Sequence, residues 1–156
     1  MQITLIAVSA RQPGWVDAGF ETYARRLSGP VSLALKEVPL PKRTRGAAVS
    51  RLIDLEGERM LAAIPGGSRV VALDESGQGL STAALAARLK AWMAQGGPVA
   101  LLIGGPDGLA PGCLDRADER WSLSPLTLPH GLVRIVVAEA LYRAASLLRG
   151  HPYHRD

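Results

Sequence analysis

The chain has 156 residues, enough to bury a sizeable core within one domain spanning 1–156. Hydrophobic residues make up 47% and aromatics only 4%, so the core must be built mainly from Leu, Val, Ile and Ala. A single cysteine, Cys113, excludes an internal disulfide and a Cys-based metal cluster, and a net charge of +4 permits a polyanionic partner without demanding one.

The N-terminus, MQITLIAVSA, carries no basic segment ahead of its apolar stretch and reads as a strand over 3–8 rather than a signal peptide. A helix follows over 15–27, with Trp15, Gly19, Tyr23 and Leu27 on one side. A second strand is expected over 31–38. Residues 39–46, with two prolines and Lys42, Arg43 and Arg45, read as a basic loop. The helix over 47–64 has Leu52, Leu55, Met60 and Leu61 at core spacing, with Arg51, Asp54 and Glu58 toward water. Pro65-Gly66-Gly67 stops it. RVVAL over 69–73 is a strand, and Ser81 is a good N-cap for a helix over 82–95 that ends at Gly96-Gly97. VALLI over 99–103 is apolar throughout, as in a strand buried on both faces. A short helix over 111–118, a last strand over 121–124 and a last helix over 132–148 complete the chain. The alternation predicts an α/β domain with a mostly parallel sheet flanked by helices. No uncharged apolar run reaches membrane-spanning length, and a cytoplasmic location is expected.

The last helix has almost no broad polar face: Val133, Ile135, Val136, Val137, Ala138, Leu141, Ala144, Leu147 and Leu148 surround it. Such a helix is buried on more than one side. In a domain this small, one side is expected to meet a second copy of the chain.

Three loops at strand ends stand out. They are LDESG from Leu73, IGGPDG with Gly104 and Gly105, and the segment Ser124-Pro125-Leu126-Thr127-Leu128-Pro129. Ligands of parallel α/β sheets bind beyond the carboxyl ends of the strands, and glycines let backbone approach a ligand closely. LDESG alone is better read as an ordinary turn, and IGGPDG fits a turn or a ligand loop equally. In the third loop Leu126 and Leu128 could form an apolar slot for an adenine. There is no GxxxxGK[ST], GxGxxG, GxSxG or HExxH, so phosphoryl transfer, nicotinamide chemistry, serine hydrolysis and zinc proteolysis lose support.

LLIGGPDGL, followed by WSLSPLTLPHGLVRIVVAEALYRAASLLRGHPYHR, resembles the bacterial large-subunit ribosomal RNA (23S) pseudouridine N3-methyltransferase family of the SPOUT superfamily. VDAGFETYARRL, EGERMLAA and LDESG extend the resemblance along the whole chain, with residues 28–50 fitting more loosely. The resemblance implies an α/β knot with a deep C-terminal trefoil, S-adenosylmethionine as methyl donor, no metal, an obligate homodimer, and 23S rRNA, within the ribosome, as partner. It places the cofactor site on Leu73, Gly104, Gly105, Ser124, Pro125, Leu126, Thr127, Leu128 and Pro129.

Methylating a ring nitrogen requires donor and acceptor in line, and a way to handle the imide proton. His130, beside the third loop, is a candidate for that task, as are Arg134 and Glu139 in the last helix and His151, Tyr153, His154 and Arg155 in the C-terminal tail. A basic tail more often grips phosphate than does chemistry. Glu139 is expected to pair with Arg143 one turn on. The helix before the tail is the expected dimer contact, so the tail is expected to act on the partner's site. Two other readings stay open: a non-catalytic RNA-binding module, and another small-molecule α/β enzyme using a nucleotide at the same loops.

Overall fold

A computed structural model describes residues 1–155; Asp156, the last residue of the tail, lies outside the described residues. The strands are β1 (Gln2–Ser9), β2 (Ser32–Pro39), β3 (Arg69–Gly79), β4 (Val99–Ile103) and β5 (Glu119–Ser122). The helices are α1 (Gly14–Arg26), α2 (Val49–Ala63), α3 (Thr82–Gln95), α4 (Pro111–Arg116) and α5 (His130–Leu148), and a 3-10 turn (Pro152–Arg155) follows. The sheet has the order β2-β1-β4-β3-β5, and its pairings are parallel.

The period-2 alternation of the strands sorts the core into two layers. Ile3, Leu5 and Ala7 of β1, with Val99, Leu101 and Ile103 of β4, pack against α1, α3 and α5. Ile6 and Val8, with Ala100 and Leu102, face α2 and α4. Both central strands are therefore dry on both sides, which is why VALLI has no polar position. Ser81 caps α3 by accepting from the Ala84 N–H at 3.1 Å. Trp92 of α3 stacks on Trp121 of β5, with ring centroids 5.4 Å apart, and ties the sheet edge to that layer. Among the described residues no helix is long and apolar enough to cross a membrane.

Several boundaries differ from expectation. β3 does not stop at Leu73. Both Leu73 and Gln78 register with Trp121, so residues 74–77 form a bulge and the strand resumes to Gly79. Gly77 makes this possible: a Cβ there would lie 2.6 Å from the Trp121 backbone nitrogen. The same pairing moves β5 two residues earlier than expected and leaves Leu123 and Ser124 to the loop. α5 begins two residues early, at His130. On α2 the stripe facing the core is Leu52, Glu56, Met60 and Ala63. Leu55 is turned to solvent, and Glu56 is only 3% exposed.

Candidate active site

Because the strands are parallel, β1, β3, β4 and β5 end along one edge, and there the structure has a cleft of about 800 Å³. Leu73, Gly104, Gly105, Ser124, Leu126, Thr127, Leu128, Pro129 and His130 all line it, so the three loops share one cavity. Pro125 belongs to the third loop but is exposed and stands outside the wall. Val8, Ser9 and Gln12, at and after the end of β1, and Leu40, just past β2, also line the cleft. The sequence reading missed these four; their only signal is that they follow strands that end at the same edge. Asp74, Glu75 and Asp107 give the cleft three carboxylates. In the third loop, Ser124 Oγ accepts from the Leu126 N–H at 2.9 Å and shapes the turn. Leu126 stays 75% exposed.

The glycine pair of the second loop answers to protein neighbours. A Cβ on Gly104 would meet the Gly108 carbonyl carbon at 2.5 Å, because the loop closes on itself through a Gly105–Gly108 bridge. Gly108 completes that turn with φ +86°. A Cβ on Gly105 would point at α2, 2.8 Å from Glu56 Oε2. These glycines let the loop lie on itself and on α2, and both still line the cleft. Neither carboxylate oxygen of Glu56 has a hydrogen-bond partner. Burial pushes its pKa up, the Arg43 guanidinium opposes this, and Asp107 adds to it. Arg43, from the basic loop, pairs with Asp107 above this point.

His130 begins α5 and half-closes one wall of the cleft. Its Nε2 accepts from Arg134 Nε at 3.1 Å, one helical turn on. Arg134 is 0% exposed. It also donates to Glu37 Oε1 at 3.4 Å and to Ser9 Oγ. Desolvation lowers the His130 pKa and the Arg134 charge lowers it further, while a hydrogen bond to the Gly104 backbone and the charge of Glu37 pull the other way.

The profile of a family described as "Predicted SPOUT methyltransferase" matches residues 1–154. The chain belongs to the SPOUT methyltransferase family. It is 57% identical over 155 residues to a ribosomal RNA large subunit methyltransferase H from Alkalilimnicola ehrlichii, covering 99% of each chain. It is 56% identical to the protein of that name from Thioalkalivibrio sulfidiphilus, over the whole of both chains. A solved structure described as a probable methylase family protein from Haemophilus influenzae shares the fold, with a TM-score of 0.62 at 12% identity, covering 95% of this chain and 66% of that one.

In this SPOUT chain the described residues of the C-terminal tail, 149–155, do not line the cleft. The 3-10 turn folds back on the middle of α5, where the Tyr153 ring packs 4.6 Å from that of Tyr142. Tyr153 Oη donates to Glu139 Oε1 at 3.1 Å, and Glu139 pairs with Arg143 at 2.7 Å, as expected. Burial and then the Glu139 hydrogen bond push the Tyr153 pKa up to about 12. His154 is half-buried and its Nδ1 has no hydrogen-bond partner; Arg155 is exposed. Arg26, Tyr142, Arg149 and His151 line a separate shallow depression beside the tail. His130 and the tail candidates are therefore two separate groups within one chain.

Proposed function

We infer that this chain is an S-adenosylmethionine-dependent methyltransferase of large-subunit ribosomal RNA, and we propose that it methylates N3 of a pseudouridine in 23S rRNA. Identity above 50% over the full length of enzymes carrying the first of these names supports the reaction class. The observation that carries the site is the single cleft into which all three strand-end loops open. Its volume suits a nucleoside-sized ligand. Leu73, Ile103, Leu126 and Leu128 offer apolar walls, the glycine loop offers backbone groups, and Asp74, Glu75 and Asp107 suit the positive charge of a sulfonium and an amino group.

The cofactor supplies an already activated methyl group, so the chain's task is placement and proton handling. Leu73, Gly104, Gly105 and the loop 124–129 would hold the donor, with His130 in the wall beside it. The acceptor side is missing from one chain, because Tyr153, His154 and Arg155 stand away from the cleft. We propose that a homodimer supplies it, each tail serving the partner's cleft. Arg155 and His154 would meet phosphate or the developing N3 anion, and Tyr153 would stack on the target base. The exposed apolar side chains Leu132, Val136 and Leu148 of α5, with Trp15 of α1, support such an assembly. The same reading takes the chain as one cytoplasmic domain with a C-terminal trefoil knot, acting on rRNA within the ribosome.

The test is mass spectrometry of 23S rRNA from a deletion strain, with and without this gene, alongside methyl transfer in vitro from labelled S-adenosylmethionine. An unmodified pseudouridine in the deletion strain, methylated again on complementation, is expected. An rRNA spectrum indifferent to the gene would overturn the substrate, and failure to bind the cofactor would revive the RNA-binding module.

A further inference from the structure

We propose that Arg134 is a positioning residue of the cleft, holding His130 as a neutral Nδ1–H imidazole that forms part of the wall and does not accept the substrate's proton. The inference rests on the proposed cofactor site only for the identity of the ligand; the geometry is that of the chain itself.

A guanidinium has only donors. His130 Nε2 sits 3.1 Å from Arg134 Nε, so Nε2 must present its lone pair and cannot carry a proton. The ring proton then belongs on Nδ1, and the Gly104 backbone of the second loop favours a proton on this ring. A proton arriving at Nε2 would turn this contact into donor facing donor, beside a buried positive charge. The lone pair that a general base needs is therefore already engaged.

Arg134 itself is unusual. It is a wholly buried charge on a mostly apolar helix, and its fork reaches three elements. It holds His130 at the start of α5, Ser9 at the end of β1 and Glu37 in β2. Ser9 and His130 both line the cleft, and Gly104 is a wall residue of the adjoining loop. A planar, permanently charged fork suits such a node, and a lysine would not replace it. Burying a charge is costly unless it is paired, and the cost is borne here directly behind the cleft.

The charged groups around His130 are Arg134 from α5 and Glu37 from β2, and Asp74, Glu75 and Asp107 line the same cavity. With Arg134 in place His130 stays neutral below its ordinary pKa, so below the titration of the ligand's own amino group S-adenosylmethionine affinity should show no step at about pH 6.5, the ordinary imidazole value. In Arg134→Gln the charge that opposes protonation is gone while the burial of the ring remains, so the His130 pKa should rise from its wild-type position and affinity should begin to fall at a higher pH than in wild type.

Nitrogen-15 NMR of the histidines in the full-length, cofactor-free protein reads the first claim. The His130 signal should show the Nδ1–H tautomer and remain uncharged at pH 6. Calorimetry with S-adenosylmethionine on His130→Gln and His130→Ala reads the second. Glutamine can accept from Arg134 as the imidazole does, so it should bind within about threefold of wild type, whereas alanine should lose about tenfold, the scale of one charge-assisted hydrogen bond. Arg134→Gln should match the alanine variant if it folds; the histidine pair and the wild-type spectrum decide the matter if it does not. A proton on Nε2, a wild-type His130 charged at pH 6, or equal affinities of the glutamine and alanine variants would each overturn the proposal. If wild type binds no S-adenosylmethionine, the proposed function falls, while the imidazole spectrum still judges Arg134.

Discussion

Gly105 lies flat against the Glu56 carboxylate: a Cβ added to the glycine would sit 2.8 Å from Oε2 and 3.2 Å from the carboxyl carbon. The cleft loop is thus seated on α2 by the smallest side chain available. Gly105→Ala should cost about 1–3 kcal/mol, as overpacking of a tight site does. Shortening the opposing side chain should give part of this back, so Glu56→Ala and Gly105→Ala should be non-additive in urea denaturation. Strict additivity would mean that the two residues do not touch. Gly104→Ala should be worse than Gly105→Ala, because its obstacle is the Gly108 backbone, which cannot swing away.

The buried Glu56 carboxyl makes a pH prediction with a definite sign. Burial raises its pKa in the folded state, so the folded chain binds this proton more tightly than the unfolded one. Stability from this group therefore falls as pH rises through the unfolded value, about 4.3, and on through the raised folded one. Glu56→Gln should be more stable than wild type at pH 8, with the gap closing toward pH 4. Urea midpoints at pH 4, 6 and 8 check this; a gap independent of pH would show that the carboxylate carries no penalty.

The proposed dimer can be broken on the α5 surface. Leu132 and Val136 are four residues apart on one face and both are exposed, with Trp15 of α1 also exposed. Val136→Glu should yield a folded monomer at micromolar concentration in sedimentation, and its RNA methyl transfer should drop to background while cofactor binding persists. A dimer that survives the charge must use another surface.

Removal of residues 152–156 should leave the cleft, and so S-adenosylmethionine affinity, near wild type, while methyl transfer is lost. Mixing this deletion with Leu128→Glu, which places a charge in the cleft wall, should restore part of the activity, because one site of the heterodimer keeps an intact cleft and an intact tail. Confirmed heterodimers without activity would favour a tail acting within its own subunit.

Lys42, Arg43 and Arg45 are exposed on the segment before α2. If they grip the RNA backbone, replacing all three by Ala should weaken binding and reduce the salt slope by about two to three. Arg43 must first leave Asp107, so its share should be the smallest. Unchanged slope and affinity would leave the loop as merely solvated.

The strand and helix order, the double-sided burial of VALLI, the Ser81 cap and the three strand-end loops were all legible in the chain, because they rest on local periodicity and on caps and glycines with a fixed local meaning. The cleft could be anticipated for the same reason, since parallel strands bring their carboxyl ends to one edge. What lies between elements was not legible. The bulge at residues 74–77 exists because Leu73 and Gln78 compete for the same partner, Trp121, on a strand over 40 residues away. Glu56 reads as one more charge on an amphipathic helix until Gly105 is laid over it. Arg134 reads in the sequence as one of several candidates for the proton, yet Ser9 and Glu37, 125 and 97 residues away in sequence, fold around it and remove it from water. Ser9, Gln12 and Leu40 reach the cleft wall only through the strand order. Periodicity records which way a side chain points along its own element; which groups meet there is settled by contacts between distant segments, and these have no local signature.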